Sequence, residues 1–454
     1  MSAPDNYLET HRQQFEQELF EFLRIPTVSA DPNCLPHMTT GAQWVAQRLR
    51  RLDLAAEVIP TAGHPLVYAE SADVPNAPTV LIYGHYDVQP PDPLELWISP
   101  PFEPTVREGN VYARGATDDK GQILTHIKGA EAWLKTAGRL PVKLKFLIEG
   151  EEEVGSTALE KYLHENAARL KCDTIVISDG AQFAPGQPAI TYGLRGIAYY
   201  ELRRTGPARD LHSGSFGGSV ANPGNAVAKI LAALLDGQGR IQVPGFYEDV
   251  VPVTERERQE FARLPFDDAQ YAAQLGVDHL AGEAGYTTLE RRWVRPTCDV
   301  NGLFGGYQGE GAKTVLPAKA GAKFSFRLVP NQDPHKITVA LRKMIEGLCP
   351  PGIRFELLDF HGCPGVMVPL DSAYVAAAAR AIEHAFGKPP VYTREGGSIP
   401  VVASFHEALH ADTLLLGWGQ DDDNTHSPNE KFSLADFHRG IRASAKLWEE
   451  LAKC

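Results

Sequence analysis

An α/β layered fold, interrupted by a smaller α+β domain, is what the order of strand-like and helix-like stretches predicts. Three observations carry that reading. The apolar runs PTVLIYGHYDV, PVKLKFLIEG and CDTIVISDG alternate with helix-like stretches, which suits a mostly parallel central sheet covered by helices. After Gly196 the texture changes to a β-α-β-α-β order, fitting a ferredoxin-like domain with one helical layer. After Pro390 the first pattern resumes with SIPVVASFHEALH, DTLLLGWG and a final helix. The implied division is 1–194 for the first part of the larger domain, 195–390 for the insertion and 391–454 for the second part.

Each element has a local cause. Leu8, Phe15, Leu19, Phe20 and Leu23 recur at helical spacing from Tyr7 to Arg24, and Pro26 stops the helix. A second helix is expected through Thr40 to Leu52. VYARGATDDKGQ leads into ILTHIKGAEAWLKTAG, a helix closed by Gly138. In the insertion, IAYYELRRTG, KAGAKFSFRLVP and IRFELLDF read as strands, and NPGNAVAKILAALLDG and DPHKITVALRKMIEGL as helices. Gln242 to Pro296, rich in charge and proline, reads as irregular and carries no assigned role.

Composition narrows the class. The 454 residues are enough for two or three domains, and 43% hydrophobic with 22% charged residues describes a globular chain with a sizeable core. A net charge of −13 argues against nucleic acid or an anionic membrane as partner. Six cysteines without CxxC spacing suit reduced thiols. The first residues lack a signal-like apolar core, and no apolar stretch is long enough to span a bilayer. A cytoplasmic location is the expectation.

Ionisable residues collect just after the expected strands: His85 and Asp87, Asp118 and Asp119, Glu149 to Glu153, Asp179, and His426. In open α/β sheets the carboxyl ends of the strands form one rim, where ligands bind. Carboxylates gathered there raise one another's pKa unless cations share the site. A mixed His/Asp/Glu shell suits zinc, manganese or cobalt, and a metal pair can polarise a carbonyl and make a bridging water nucleophilic.

YGHYDVQP, RGATDDKGQ, EGEEEVGS, ISDG, DLHSGSFGG and HSPNEKF together resemble the motif set of the M20 metallopeptidases, in order over nearly the whole chain. The branch resembled is that of carnosinase and the cytosolic non-specific dipeptidases. The resemblance implies that the larger domain is catalytic and binds two divalent ions per subunit, zinc first among them, with manganese or cobalt as alternatives. His85, Asp118 and Asp179 would hold one ion, and Glu153, His426 and the shared Asp118 the other. Glu152 would be general base and acid, and Asp87 would orient the His85 imidazole. The family places a cis peptide between Asp118 and Asp119. In the insertion, His212 would stabilise the oxyanion, commonly in the partner subunit's site. Arg327, Thr314, His361, Gly397 and Ser398 would grip the substrate's carboxylate end. The implied reaction is hydrolysis of dipeptides or similar small substrates by a homodimer paired through the insertion. N-acyl or N-carbamoyl amino acids are the alternative substrates.

In an extended chain Glu152 and Glu153 would point apart, one towards substrate and one towards metal. Glu149 and Glu151 read as solvated or supporting charges. Any one of these stations alone is more often structural than catalytic; their joint order gives them weight. HEALH, His406 to His410, is a formal H-E-x-x-H, with Glu430 downstream where a mono-zinc protease would place its third ligand. Against it, the helix is expected to end almost at His410. The remaining rival is a metal-free binding protein, disfavoured because all five ligands and the base are present.

Overall fold

The structure is a computed structural model describing residues 2–397 and 400–454, with the backbone alone at His361 and Pro400. The chain divides into two compact units: residues 1–192, 368–393 and 404–454 form the larger, residues 193–367 and 394–403 the smaller.

In the larger unit the strands lie in the order Ala55–Ile59, Leu66–Glu70, Lys143–Glu149, Thr79–His85, Thr174–Ile177, Asp412–Leu415 and Ala189–Leu194. The four from Lys143–Glu149 to Asp412–Leu415 are mutually parallel, and their neighbours on either side antiparallel. The central strands are apolar runs buried along nearly their whole length, as a sheet between two helical layers requires. Helices Lys120–Ala137, Ala373–Phe386 and Leu434–Leu451 pack together, and the core gathers Phe15, Phe22, Val45, Phe146, Trp418 and Trp448. Ala373–Phe386, which the sequence reading assigned to the insertion, belongs to this unit.

One close approach shapes the rim. A Cβ on Gly84 would lie 2.0 Å from Ile123 Cγ2 and 2.6 Å from Asp119 Oδ2. Only glycine lets the helix beginning at Lys120 start so near His85.

The smaller unit holds a four-stranded antiparallel sheet ordered Thr297–Gly305, Lys319–Leu328, Gly196–Thr205, Arg354–Cys363. Helices Pro223–Leu234 and Pro334–Leu348 cover one face, closing a core of Tyr200, Ile230, Phe324, Phe326, Leu341 and Ile345. Thr297–Gly305, which the sequence reading missed, is an edge strand with Val300, Leu303 and Phe304 exposed.

Three expectations need correction. Tyr7 to Arg24 is two helices, Ala3–Thr10 and Arg12–Leu23, broken at His11, whose Nδ1 turns back to Tyr7 O at 2.8 Å. The second helix, Leu35–Arg50, begins earlier than Thr40 because Pro36 sits in its first turn. The segment read as irregular contains helices Glu255–Ala262, Asp268–Leu275 and Thr288–Trp293, each started by a side-chain cap from Thr254, Asp267 or Thr287. Among the described residues no helix is long and apolar enough to cross a membrane.

Candidate metal centre

The parallel strands deliver their carboxyl ends to one rim of the larger unit, and the expected ligands meet there. His85 closes its strand; Asp118 precedes the helix at Lys120; Asp179 follows Thr174–Ile177; Glu153 follows Lys143–Glu149; His426 comes from the loop after Asp412–Leu415. They form two sets, His85/Asp118/Asp179 and Asp118/Glu153/His426, with ligand atoms within 4.8 Å of one another in each. Asp118 belongs to both. Its Oδ1 lies 3.1 Å from His85 Nε2, and its Oδ2 2.9 Å from His426 Nε2. Asp179 Oδ2 is 3.8 Å from His85 Nε2, and Glu153 Oε2 is 3.3 Å from His426 Nε2. The peptide between Asp118 and Asp119 is cis.

The donor set fits divalent cations. His85 is fully buried, and its Nε2 has carboxylates nearby but no aligned hydrogen-bond partner. Burial opposes a charge on His85, yet the carboxylates of Asp118, Asp87 and Asp179 around it raise its pKa well above the ordinary value. His426 is pushed up to about 10 by its hydrogen bonds with Asp118 and Glu153. Burial pushes Asp179 up to about 6, helped by the charge of Asp118. A cluster that draws protons onto both histidines and one carboxyl is calling for positive charge. Two sets of His/Asp/Glu donors sharing a carboxylate supply the right ligand types.

The acidic run is built differently from the extended chain expected. Glu152–Val154 is a 3₁₀ turn, closed by Gly155 at φ 102°. The Asp87 carboxylate accepts from Glu152 N at 3.3 Å and Glu153 N at 3.1 Å, so it holds the turn as well as facing His85 Nδ1 at 3.4 Å. Turn geometry, not strand alternation, therefore sets the backbone that carries Glu152 and Glu153. Burial pushes Glu152 up to about 8, with Asp179, Glu153 and Asp118 adding repulsion. Glu149 is no solvated charge. It is fully buried, accepts from Tyr83 Oη at 2.6 Å and Ser156 Oγ at 2.9 Å, and is pushed up to about 8 by burial. Glu151 supports the backbone, accepting from His64 N and Ala158 N.

Two contributors escaped the sequence reading. Gln89 Nε2 donates to Glu153 Oε2 at 2.7 Å, leaving the glutamate's other oxygen unclaimed by it. Gln89 lies two residues beyond Asp87 in the same motif, which was the available signal. Glu430, considered only as a zinc ligand for HEALH, is fully buried and engaged elsewhere, with Arg114 and the backbone of Gly115, Thr117 and Asp118.

The remaining expected residues lie in the smaller unit. His212 is exposed, and its Nδ1 accepts from Gly214 N and Ser215 N at 3.1 and 3.3 Å. Its strand pairs with Val315–Leu316, bringing Thr314 alongside, whose carbonyl accepts from Ser213 N. Arg327 lies on strand Lys319–Leu328 opposite Thr297, close enough to Arg195 for their charges to repel. Gly397 N is bonded to Glu395 Oε1, and Arg195 Nε to the neighbouring Gly396 O. The backbone of His361 pairs with Tyr199; its side chain, like Ser398, lies outside the described residues.

Fold and donor set together define a metal-dependent hydrolase, and comparison with known proteins gives its kind. Residues 81–450 match the peptidase family M20/M25/M40, and the chain belongs to that family. It is 33% identical to the Cys-Gly metallodipeptidase DUG1 of Saccharomyces cerevisiae, covering 96% of this chain and 95% of the relative. It is 32% identical to the human Beta-Ala-His dipeptidase, over 98% and 92%. The solved M20 family metallo-carboxypeptidase Sso-CP2 of Sulfolobus solfataricus shares the fold with a TM-score of 0.85 and 34% identity, over 97% and 99%.

Proposed function

We propose that this metallodipeptidase hydrolyses the peptide bond of dipeptides bearing a free C-terminal carboxylate, using two divalent ions per subunit, zinc foremost. The observation that carries the reading is the sharing of Asp118 between two ligand sets with Glu152 beside them. When bound, such ions supply Lewis acidity to a carbonyl and a nucleophile at neutral pH. The residues of the chain do the rest. Glu152, lifted towards neutrality by burial, accepts the proton of the attacking water and returns it to the leaving amine. Asp87 keeps the His85 ring in place and holds the turn that aims Glu152 and Glu153. His212 donates to the oxyanion, and the Arg327 guanidinium suits the substrate carboxylate, with Thr314, Gly397, Ser398 and His361 around it.

The working form we propose is a cytoplasmic homodimer joined through the smaller unit, with His212 serving the partner's site. The exposed edge strand Thr297–Gly305, with Val300, Leu303 and Phe304, supports this pairing, and six free thiols support the compartment. Deacylation of N-acyl or N-carbamoyl amino acids is not favoured, since the relatives named above are dipeptidases by name.

The test is a substrate panel. Protein loaded with zinc, manganese or cobalt is assayed on Cys-Gly, β-Ala-His and other dipeptides beside N-acetyl and N-carbamoyl amino acids. Dipeptide hydrolysis is expected; cleavage of the acylated compounds alone would overturn the proposal. Mixing His212→Ala with Glu152→Ala should restore activity in a demonstrated hybrid dimer, because one site then receives both intact residues.

A further inference from the structure

Glu430 is buried, and four donors converge on it. Arg114 Nη1 and Gly115 N donate to Oε2, each at 2.8 Å; Thr117 N and Asp118 N donate to Oε1 at 3.0 and 3.1 Å. A carboxylate serving only as counter-ion to Arg114 needs one of these bonds. The other three come from the backbone of the turn that presents Asp118, the ligand common to both sets. Glu430 is also four residues from His426, so one carboxylate ties together chain segments that supply two ligands.

A second carboxylate of that loop acts on the same turn. Asp423 Oδ2 accepts from Thr117 Oγ1 at 2.9 Å and from Gln420 N at 2.8 Å, while Lys431 Nζ donates to its Oδ1 at 3.1 Å. The turn at 115–118 is thus fixed from the His426 loop by two buried acids, one on either side of His426 in sequence.

We infer that Glu430 is a positioning residue for the metal pair: it sets the orientation of Asp118 relative to His426 and so the affinity of both ions at once. The inference rests on the metal-dependent reading above, and its test separates the two. The readout is metal affinity. Apoprotein prepared by chelation is titrated with zinc against a chromophoric chelator, with far-UV circular dichroism confirming the fold. In Glu430→Gln an amide NH₂ would face two of the four donors, and both equivalents of zinc should bind about 10–100-fold more weakly, the range for loss of a partner that orients a ligand. Glu153→Ala, which removes a ligand from one set only, should weaken one equivalent. Because Glu430→Gln leaves Arg114 buried without its counter-charge, the pair Arg114→Met/Glu430→Gln is measured beside it. Two equivalents bound with wild-type affinity in either folded variant would overturn the inference. A wild-type protein that takes up no zinc would instead overturn the metal-dependent reading first.

Discussion

Two stretches of the larger unit advertise metal chemistry, and among the described residues other ligand-type side chains converge on only one of them. The run Glu149–Glu153 is drawn into a buried network: Asp87 caps its turn, Gln89 fixes Glu153, and Tyr83 and Ser156 hold Glu149. HEALH has the spacing of a zinc helix, but His406, Glu407 and His410 are all exposed. The helix ends at Leu409, and His410 has left it with φ 52°. Two imidazoles clamp a metal from i and i+4 only while both remain on one helical face. A motif acquires chemistry when other segments converge on it, and no other ligand group converges on HEALH among the described residues.

The largest effect should follow from the shared ligand. Asp118→Ala removes a donor from both sets, and the purified variant should lose both ions by metal analysis, along with all measurable hydrolysis. Retention of two equivalents would show that the ligand sets are wrongly drawn. Next comes Glu152→Gln, which keeps the shape and removes the base. Its metal content should be unchanged while kcat falls by about 10²–10⁴-fold, the range for general acid–base catalysis. A fall of less than threefold would move the base elsewhere.

A smaller effect, in stability, distinguishes the buried member of the run. Burial raises Glu149 from the ordinary carboxyl value to about 8. A carboxyl raised in the folded state binds its proton more tightly there than in the unfolded chain, so stability falls as pH climbs through that window. The fall is at most about 1.4 kcal/mol for each pH unit between the ordinary value and about 8. Glu149→Gln cannot ionise and should gain on the wild type as pH rises from 5 to 8. The measurement is the difference in Tm between the two proteins at each pH. A constant difference would mean that Glu149 is ionised throughout.

How much of this was legible in the sequence depends on range. The central strands are apolar runs ending at His85, Glu149 and just short of Asp179, and a period-based reading finds them. His85 and Asp179 are legible because they sit at or just after a strand end, whereas Asp118, Glu153 and His426 lie in turns and loops and are legible from the motifs around them. What escaped involves partners far apart in the chain. Nothing local shows that Glu430 will serve a turn over three hundred residues earlier. Glu149 reads as solvated because its neighbours are acidic, while the Tyr83 hydroxyl that donates to it in the core lies 66 residues away. The helices of 242–296 are a different case. Thr254 with Glu257, and Thr287 with Glu290, are capping boxes that could have been read. Charge and proline in the segment hid them.

The smallest expected effect is the one that decides between the two stretches. His406→Ala combined with His410→Ala alters two exposed side chains, one at the last turn of a helix and one beyond it. Exposed substitutions of this kind shift stability by about 0.5 kcal/mol or less. Neither residue belongs to the ligand sets that share Asp118. The double variant should therefore keep two equivalents of metal and dipeptidase activity within about twofold of wild type. His410 adds a detail: alanine is less comfortable than histidine at a positive φ, so any small loss in Tm should come from that position and disappear with His410→Gly. Loss of metal or a hundredfold loss of activity in a folded double variant would transfer the chemistry to HEALH and leave the acidic run as scaffolding.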